Sequence, residues 1–411
     1  MPRMNGNLVR LAFCFFVLIG AAGARAPANA QTLALVGGKV YASPDAAPLP
    51  DAVIVASNGV IAAIGSHSDV QIPSDARVID CTGKTVVAGF WNSHVHFTQA
   101  AWNNAGSAPA APMAEHMQAM LTRWGFTTVW DLGSDARNTV PLRRRVDSGE
   151  VPGPAIHLAG SIFPRDGHPA YLPAEMKLPE AATPDDAAQL ARAYMGFGLD
   201  GMKLFTGSFK GAGKPVVNMD PAIAKAAVDV AHAAGKPVFA HPQNMAGVDA
   251  VIAAGVDIMA HTVAGEPVYS PEQLARFKQQ GIALVPTLSL FSKLPVAPEI
   301  AARLVATTVN QVKAFSDNGG PVLFGTDIGF TTYYDTTLEY ELMHRALSER
   351  QILASLTTNP AQYFKAAKKG RVEKGFDADV VVLDGDPTAD VKNLANVAYT
   401  IRAGRVIYQK P

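Results

Sequence analysis

"VVAGFWNSHVHF", residues 86–97, is the stretch on which the reading of the fold turns. An apolar, β-branched run passes through a glycine and an aromatic pair and ends in two histidines, His94 and His96, one residue apart. Successive side chains of an extended strand alternate faces, so both imidazoles point the same way and can reach one object. The strand has successors. "GFTTVWDLG", "AIHLAGSIF", "LDGMKLFTG", "PVFAHP", "VDIMAHT", "ALVPTLSL" and "PVLFGTD" follow in order as near-continuous apolar segments. Most are separated by room for a helix such as "PAIAKAAVDVAHAAG". Eight such units predict an α/β chain built on a (β/α)8 TIM barrel, with its chemistry at the carboxyl ends of the strands.

On either side of the barrel, residues 89–365, the texture is different. Residues 31–88 contain short β-branched runs split by Gly, Asn and Asp, and residues 366–411 return to that pattern with "ADVVVLDGDP" and "VAYTIRAGRVIYQ". The two ends are expected to combine into one small β-sandwich. A chain of 411 residues with 48% hydrophobic side chains can fill both cores. Lys+Arg and Asp+Glu both total 35, so the formal charge is zero and no basic field advertises nucleic acid. Small, weakly charged partners are the expectation; the sequence leaves a homo-oligomer open.

Residues 1–30 read as a secretory signal peptide. Arg3 and Arg10 precede the apolar run "LAFCFFVLIGAAG", and "ANA" at 28–30 offers small residues for cleavage before Gln31. The run is shorter than the roughly 20 residues that span a bilayer, so no stable membrane association is expected after cleavage. The protein is thus expected to be exported, periplasmic or secreted. Its mature chain would keep Cys81 alone, with stability from packing or metal rather than disulfides.

Polar residues fall where the barrel places chemistry. His94 and His96 end strand one, Lys203 lies in strand four, His241 ends strand five, His261 strand six and Asp327 strand eight. Singly, each histidine reads as a hydrogen-bonded structural residue and Asp327 as a helix cap. Together, four imidazoles and a carboxylate around one mouth suit a borderline divalent metal such as zinc with a position open for water. Lys203 is the puzzle. A buried ammonium needs a partner, with Asp200 and Asp131 the nearest candidates, and as a cation it cannot ligate metal.

These motifs, with "SGEVPGPAIHLAG", "LTTNPAQYF", "KGFDADVVVLDGDP" and "TIRAGRVIY", make the chain resemble the amidohydrolase superfamily. Within it, the chain looks like the metal-dependent members related to imidazolonepropionases, Xaa-Pro dipeptidases and ochratoxinase-like enzymes. The resemblance implies that His94, His96 and Asp327 bind one metal, that His241 and His261 bind a second, and that Lys203 is carboxylated (N6-carboxylysine) and bridges both. It implies hydrolysis of a carbon–nitrogen bond by a hydroxide bridging two divalent ions, with Asp327 as catalytic base. A carbamate would turn the awkward cation into an anion with two oxygens. The pattern is not complete. Ala88 and Asn92 stand where relatives usually have Pro and Asp, and "MAHT" lacks an acidic residue before its histidine. The missing aspartate predicts weaker metal binding.

Substrate identity is thinly encoded. The stretch "PRDGHPAYLPAEMKLPEAATPDD", residues 164–186, follows strand three as a lid candidate and offers Arg165, His168 and Tyr171. The loop after strand eight, "IGFTTYYDTTLEYE", offers Tyr333 and Tyr334. Arg165 paired with a carboxylate would suit a dipeptide or an N-acyl amino acid. Two alternatives stay open: a cyclic amidase or single-metal deaminase on the same barrel, and an exported binding protein whose metal is structural.

Overall fold

The structure is a computed structural model and describes residues 32–411. The signal-peptide reading of residues 1–30 lies outside the described residues. No described helix is long and apolar enough to cross a membrane.

Seven parallel strands run in sequential order around the barrel: Phe90–Val95, Phe126–Asp131, Ala155–Pro164, Gly201–Phe205, Val238–His241, Ile258–Ala260 and Ala283–Val285. Alternation sorts their side chains. Trp91, Trp130, Phe239, Ile258, Ala283 and Val285 pack together inside, while Met202, Leu204, Val238, Met259 and Leu284 pack outward in the cluster that includes the helices. Lys203 and His241 share the inward parity of Phe239. Helices between the strands start where the sequence marks them. Thr183 with Asp186, Ser270 with Gln273 and Ser348 with Gln351 each form a reciprocal capping box.

The eighth expected strand is the departure. Residues 321–327 close the ring without forming a regular strand: Leu323 N donates to Leu284 O at 2.9 Å on one side, and Ser93 N to Phe324 O at 2.7 Å on the other. Its backbone is committed elsewhere, Thr326 N to the Asn92 side chain and Phe324 N to Ser355 O. Gly325 allows the close passage. A Cβ there would meet Val285 Cγ1 at 2.3 Å and His94 Cβ at 3.0 Å.

Strands within residues 33–88 and 380–409 form one hydrogen-bonded eight-stranded sheet beside the barrel. Thr85–Ala88 pairs parallel with Leu33–Val40 and antiparallel with Val380–Leu383, and one residue later the chain enters the barrel. Cys81 is buried in this unit, and burial pushes its thiol up to about 12, leaving it unreactive.

Candidate metal centre

His94 and His96 reach the barrel interior together. Their Nε2 atoms lie 3.2 and 2.9 Å from Asp327 Oδ1, which has no aligned hydrogen-bond donor. Asn92 holds this corner. Its Oδ1 accepts from the backbone N of His94 at 3.2 Å and of Thr326 at 3.3 Å, and its Nδ2 donates to Thr326 Oγ1 at 2.8 Å. It ties strand one to the segment carrying Asp327; an aspartate would keep the acceptor and lose the donated bond. A buried anion is nonetheless present. Asp131, fully enclosed, accepts from Ser134 N and Oγ and lies 3.9 Å from His96 Nδ1. Burial raises its carboxyl above the usual range, against the pull of His96.

His241 and His261 face the first pair across the mouth, with ring centroids 4.7 Å apart and His261 4.5 Å from His94. Burial holds His94 and His261 well below the ordinary imidazole value and brings His241 to about 4, so all three are neutral near pH 7. Their lone pairs are directed by neighbours that sequence reading missed. Thr287 Oγ1 donates its single proton to Pro286 O at 2.8 Å, so at 2.7 Å it accepts from His261 Nδ1, leaving Nε2 unprotonated. His241 Nε2 lies 2.9 Å from Gln243 Oε1, which leaves Nδ1 as its lone pair. Thr287 is itself anchored: the next two backbone N–H groups, of Leu288 and Ser289, donate to the buried Glu339 carboxylate at 2.8 and 2.6 Å. Burial lifts that carboxyl to about 7 despite these bonds.

Lys203 stands among these groups with 1% of its surface exposed. Asp200 pairs with Arg143 at 2.6 Å and Asp131 is taken by Ser134, so neither meets it, and among the described residues Lys203 has no ion pair. Burial brings its amine down to about 7, with Asp327 opposing. Backbone strain marks the same rim. Gln243, His261 and Thr287, each just past a different barrel strand, and Asp327, at the end of the closing segment, have φ of 54°, 115°, 49° and 60°. Ligand atoms of His94, His261 and Asp327 all lie within 4.8 Å of one another. Neutral imidazoles, a carboxylate oxygen with no aligned donor and a desolvated lysine are a donor set that fits a borderline divalent cation.

The substrate candidates divide. Tyr171 lies over the mouth; its hydroxyl is pushed upward by burial and by the Asp327 carboxylate, and its ring meets Phe330 edge to face at 5.3 Å. Tyr333 is at the rim under the Lys293 ammonium, 4.3 Å from the ring centroid. Tyr334 donates to Gln99 Oε1 and lies 3.3 Å from His116 Nε2, bracing the loop after Asp327 against the loop after strand one. His168 is occupied within the lid by the carbonyls of Pro169 and Met176 at 3.0 and 3.1 Å. Arg165 is exposed, and its charge acts on Asp186.

The chain is similar to known proteins. A family profile described as "Amidohydrolase family" matches residues 85–407. Ochratoxinase of Aspergillus niger is 24% identical over 396 residues, 85% of this chain and 80% of that protein. A Xaa-Pro dipeptidase structure with bound methionine superposes with a TM-score of 0.79 at 24% identity, covering 92% of this chain and all of the other. A molinate hydrolase structure gives 0.77 at 21%, covering 92% and 95%.

Proposed function

This chain belongs to the amidohydrolase family and is a hydrolase acting on carbon–nitrogen bonds; from that premise we propose that it cleaves an amide or peptide bond in a small substrate, a dipeptide or N-acyl amino acid, using two divalent ions, zinc by the donor chemistry. His94, His96 and Asp327 would hold one ion, His241 and His261 the other, and a carboxylated Lys203 both. The ions would supply a nucleophile from water at neutral pH and polarise the scissile carbonyl.

The chain's own groups supply the rest. Asp327 takes a proton from the attacking water and returns it to the leaving nitrogen, so the amide becomes a carboxylic acid and an amine. Its carboxylate is placed for this by its left-handed backbone and by the bond from its N–H to His94 O at 2.9 Å. Thr287 and Gln243 keep the lone pairs of His261 and His241 turned toward the mouth. Lys203, neutral in a large fraction near pH 7, has the free amine that adds to carbon dioxide: the N–C bond forms, a proton leaves and an anion remains.

The observation that carries this reading is Lys203, buried among imidazoles without a carboxylate partner. Metal analysis of the purified holoprotein is expected to give two divalent ions per chain, and Lys203→Ala to abolish hydrolysis across a panel of Xaa-Pro dipeptides, other dipeptides and N-acyl amino acids. One ion per chain with an active Lys203→Ala would replace it by a single-metal mechanism. We also propose export directed by residues 1–30; cell fractionation with an amino-terminal sequence beginning at Gln31 is the expected result, and a cytosolic full-length chain the contrary one.

A further inference from the structure

Exposed apolar side chains are ordinarily scattered over a soluble surface. Here they gather at one end. Of the ten large hydrophobic residues that are exposed among those described, six lie on the loops following barrel strands three, six and seven and the closing segment 321–327: Tyr171, Met176, Val268, Val296, Phe330 and Tyr333. Those segments surround the mouth of the metal centre.

Two of these side chains meet over the chemistry. Phe330 comes three residues after Asp327 and is 42% exposed; Tyr171 reaches it from the lid at 5.3 Å and is 40% exposed. The lid is pinned in that position. Ala170 N donates to Phe209 O at 2.8 Å, Lys210 Nζ donates to Asp166 O at 2.7 Å, and Ser208 Oγ bonds Gly167 O. Of the cations near the lip, Lys210 donates to that carbonyl and Lys293 lies on the Tyr333 ring, while Arg165 is exposed with its charge acting on Asp186.

Resting on the amide-hydrolase reading above, we infer that Tyr171 and Phe330 form an aromatic lip that selects amides carrying an aromatic or other bulky apolar group next to the scissile bond. The two side chains of the lip offer faces and edges to a ring and carry no charge of their own, so apolar contact is what distinguishes one substrate from another. A second copy of the chain is the competing occupant of such a surface.

Matched pairs test this with the zinc-loaded full chain: N-acetyl-phenylalanine against N-acetyl-glycine, and N-benzoyl-glycine against N-acetyl-glycine. The aromatic member of at least one pair is expected to be favoured by about 10–100-fold in kcat/KM. Phe330→Ala and Tyr171→Ala should each cut that ratio about tenfold, and Tyr171→Phe, which keeps the ring, should retain it. Parity in both pairs, or a ratio unmoved by either alanine, overturns the lip while leaving amide hydrolysis standing. A change in association state on size exclusion in Phe330→Ala, with the ratio unmoved, assigns the patch to a subunit contact and overturns it too. Failure to cleave any of these amides or those of the wider panel overturns the hydrolase reading and the lip with it.

Discussion

The two halves of one barrel use the same side chain in opposite ways. Toward the amino-terminal half, His157 is stacked between Trp91 and Trp130 at 6.1 and 4.9 Å, with Phe364 packed on both tryptophans. At the carboxyl end, four imidazoles surround Lys203 and Asp327, and four backbone positions sit in the left-handed region. Burial lowers the pKa of His157 as it does that of His94. Desolvation therefore does not separate a packing histidine from a ligand. Company does: a carboxylate without an aligned donor, a second imidazole within 5 Å and a hydroxyl that selects the tautomer.

That contrast can be broken at either end. The largest effect is expected at the mouth, where Asp327→Asn should lower kcat/KM by about 10²–10⁴-fold while shifting the melting temperature little. Trp130→Ala in the inner core should do the reverse, costing about 3–5 kcal/mol in denaturant unfolding while the surviving folded fraction keeps its zinc affinity. If Trp130→Ala weakened zinc binding as much as it weakened the fold, the two halves would be one unit. Thr287→Val, which keeps shape and loses the acceptor, should weaken zinc by about 10–100-fold in chelator competition, whereas Thr287→Ser should bind like the parent. The last effect is in pH dependence. In metal-free, unmodified protein the unfolded chain keeps the Lys203 proton to about 10.5 and the folded chain only to about 7. The unfolded state binds more protons between those values, so this contribution to stability is present above 10.5 and is lost as pH falls toward 7. Subtracting the curve of Lys203→Met isolates it; a flat difference would mean that Lys203 does not feel its burial.

What could be read in the sequence follows the range of the forces involved. Strand periodicity is local, so the inward pairing of His94 with His96 was visible from alternation, whereas the shared face of Lys203 and His241 depends on the register between their strands. The eighth segment, "PVLFGTD", closes the ring as its composition suggests, but Thr326 N and Phe324 N go to the Asn92 side chain and Ser355 O and break the regular ladder, which no local pattern reports. Gly325 was the available hint. Asn92 reads as a loss when aligned with relatives and as a clamp in three dimensions, because its amide donates where a carboxylate cannot. Thr287 and Glu339 were invisible for the same reason: "ALVPTLSL" contains nothing that marks one threonine as holding an imidazole. Arg165 was offered as a substrate partner on charge alone, and charge gives no direction.

The register partners Ala88 and Val380 set an order of events. Ala88 lies just before the strand that carries His94 and His96, and it pairs with a strand that leaves the ribosome near the end of synthesis. The strand that leads into His94 and His96 therefore keeps one edge unpaired until Val380–Leu383 is made. A chain cut short before that strand would carry all six proposed ligands and an open edge on Thr85–Ala88, so completion of the small sheet waits on the carboxyl terminus.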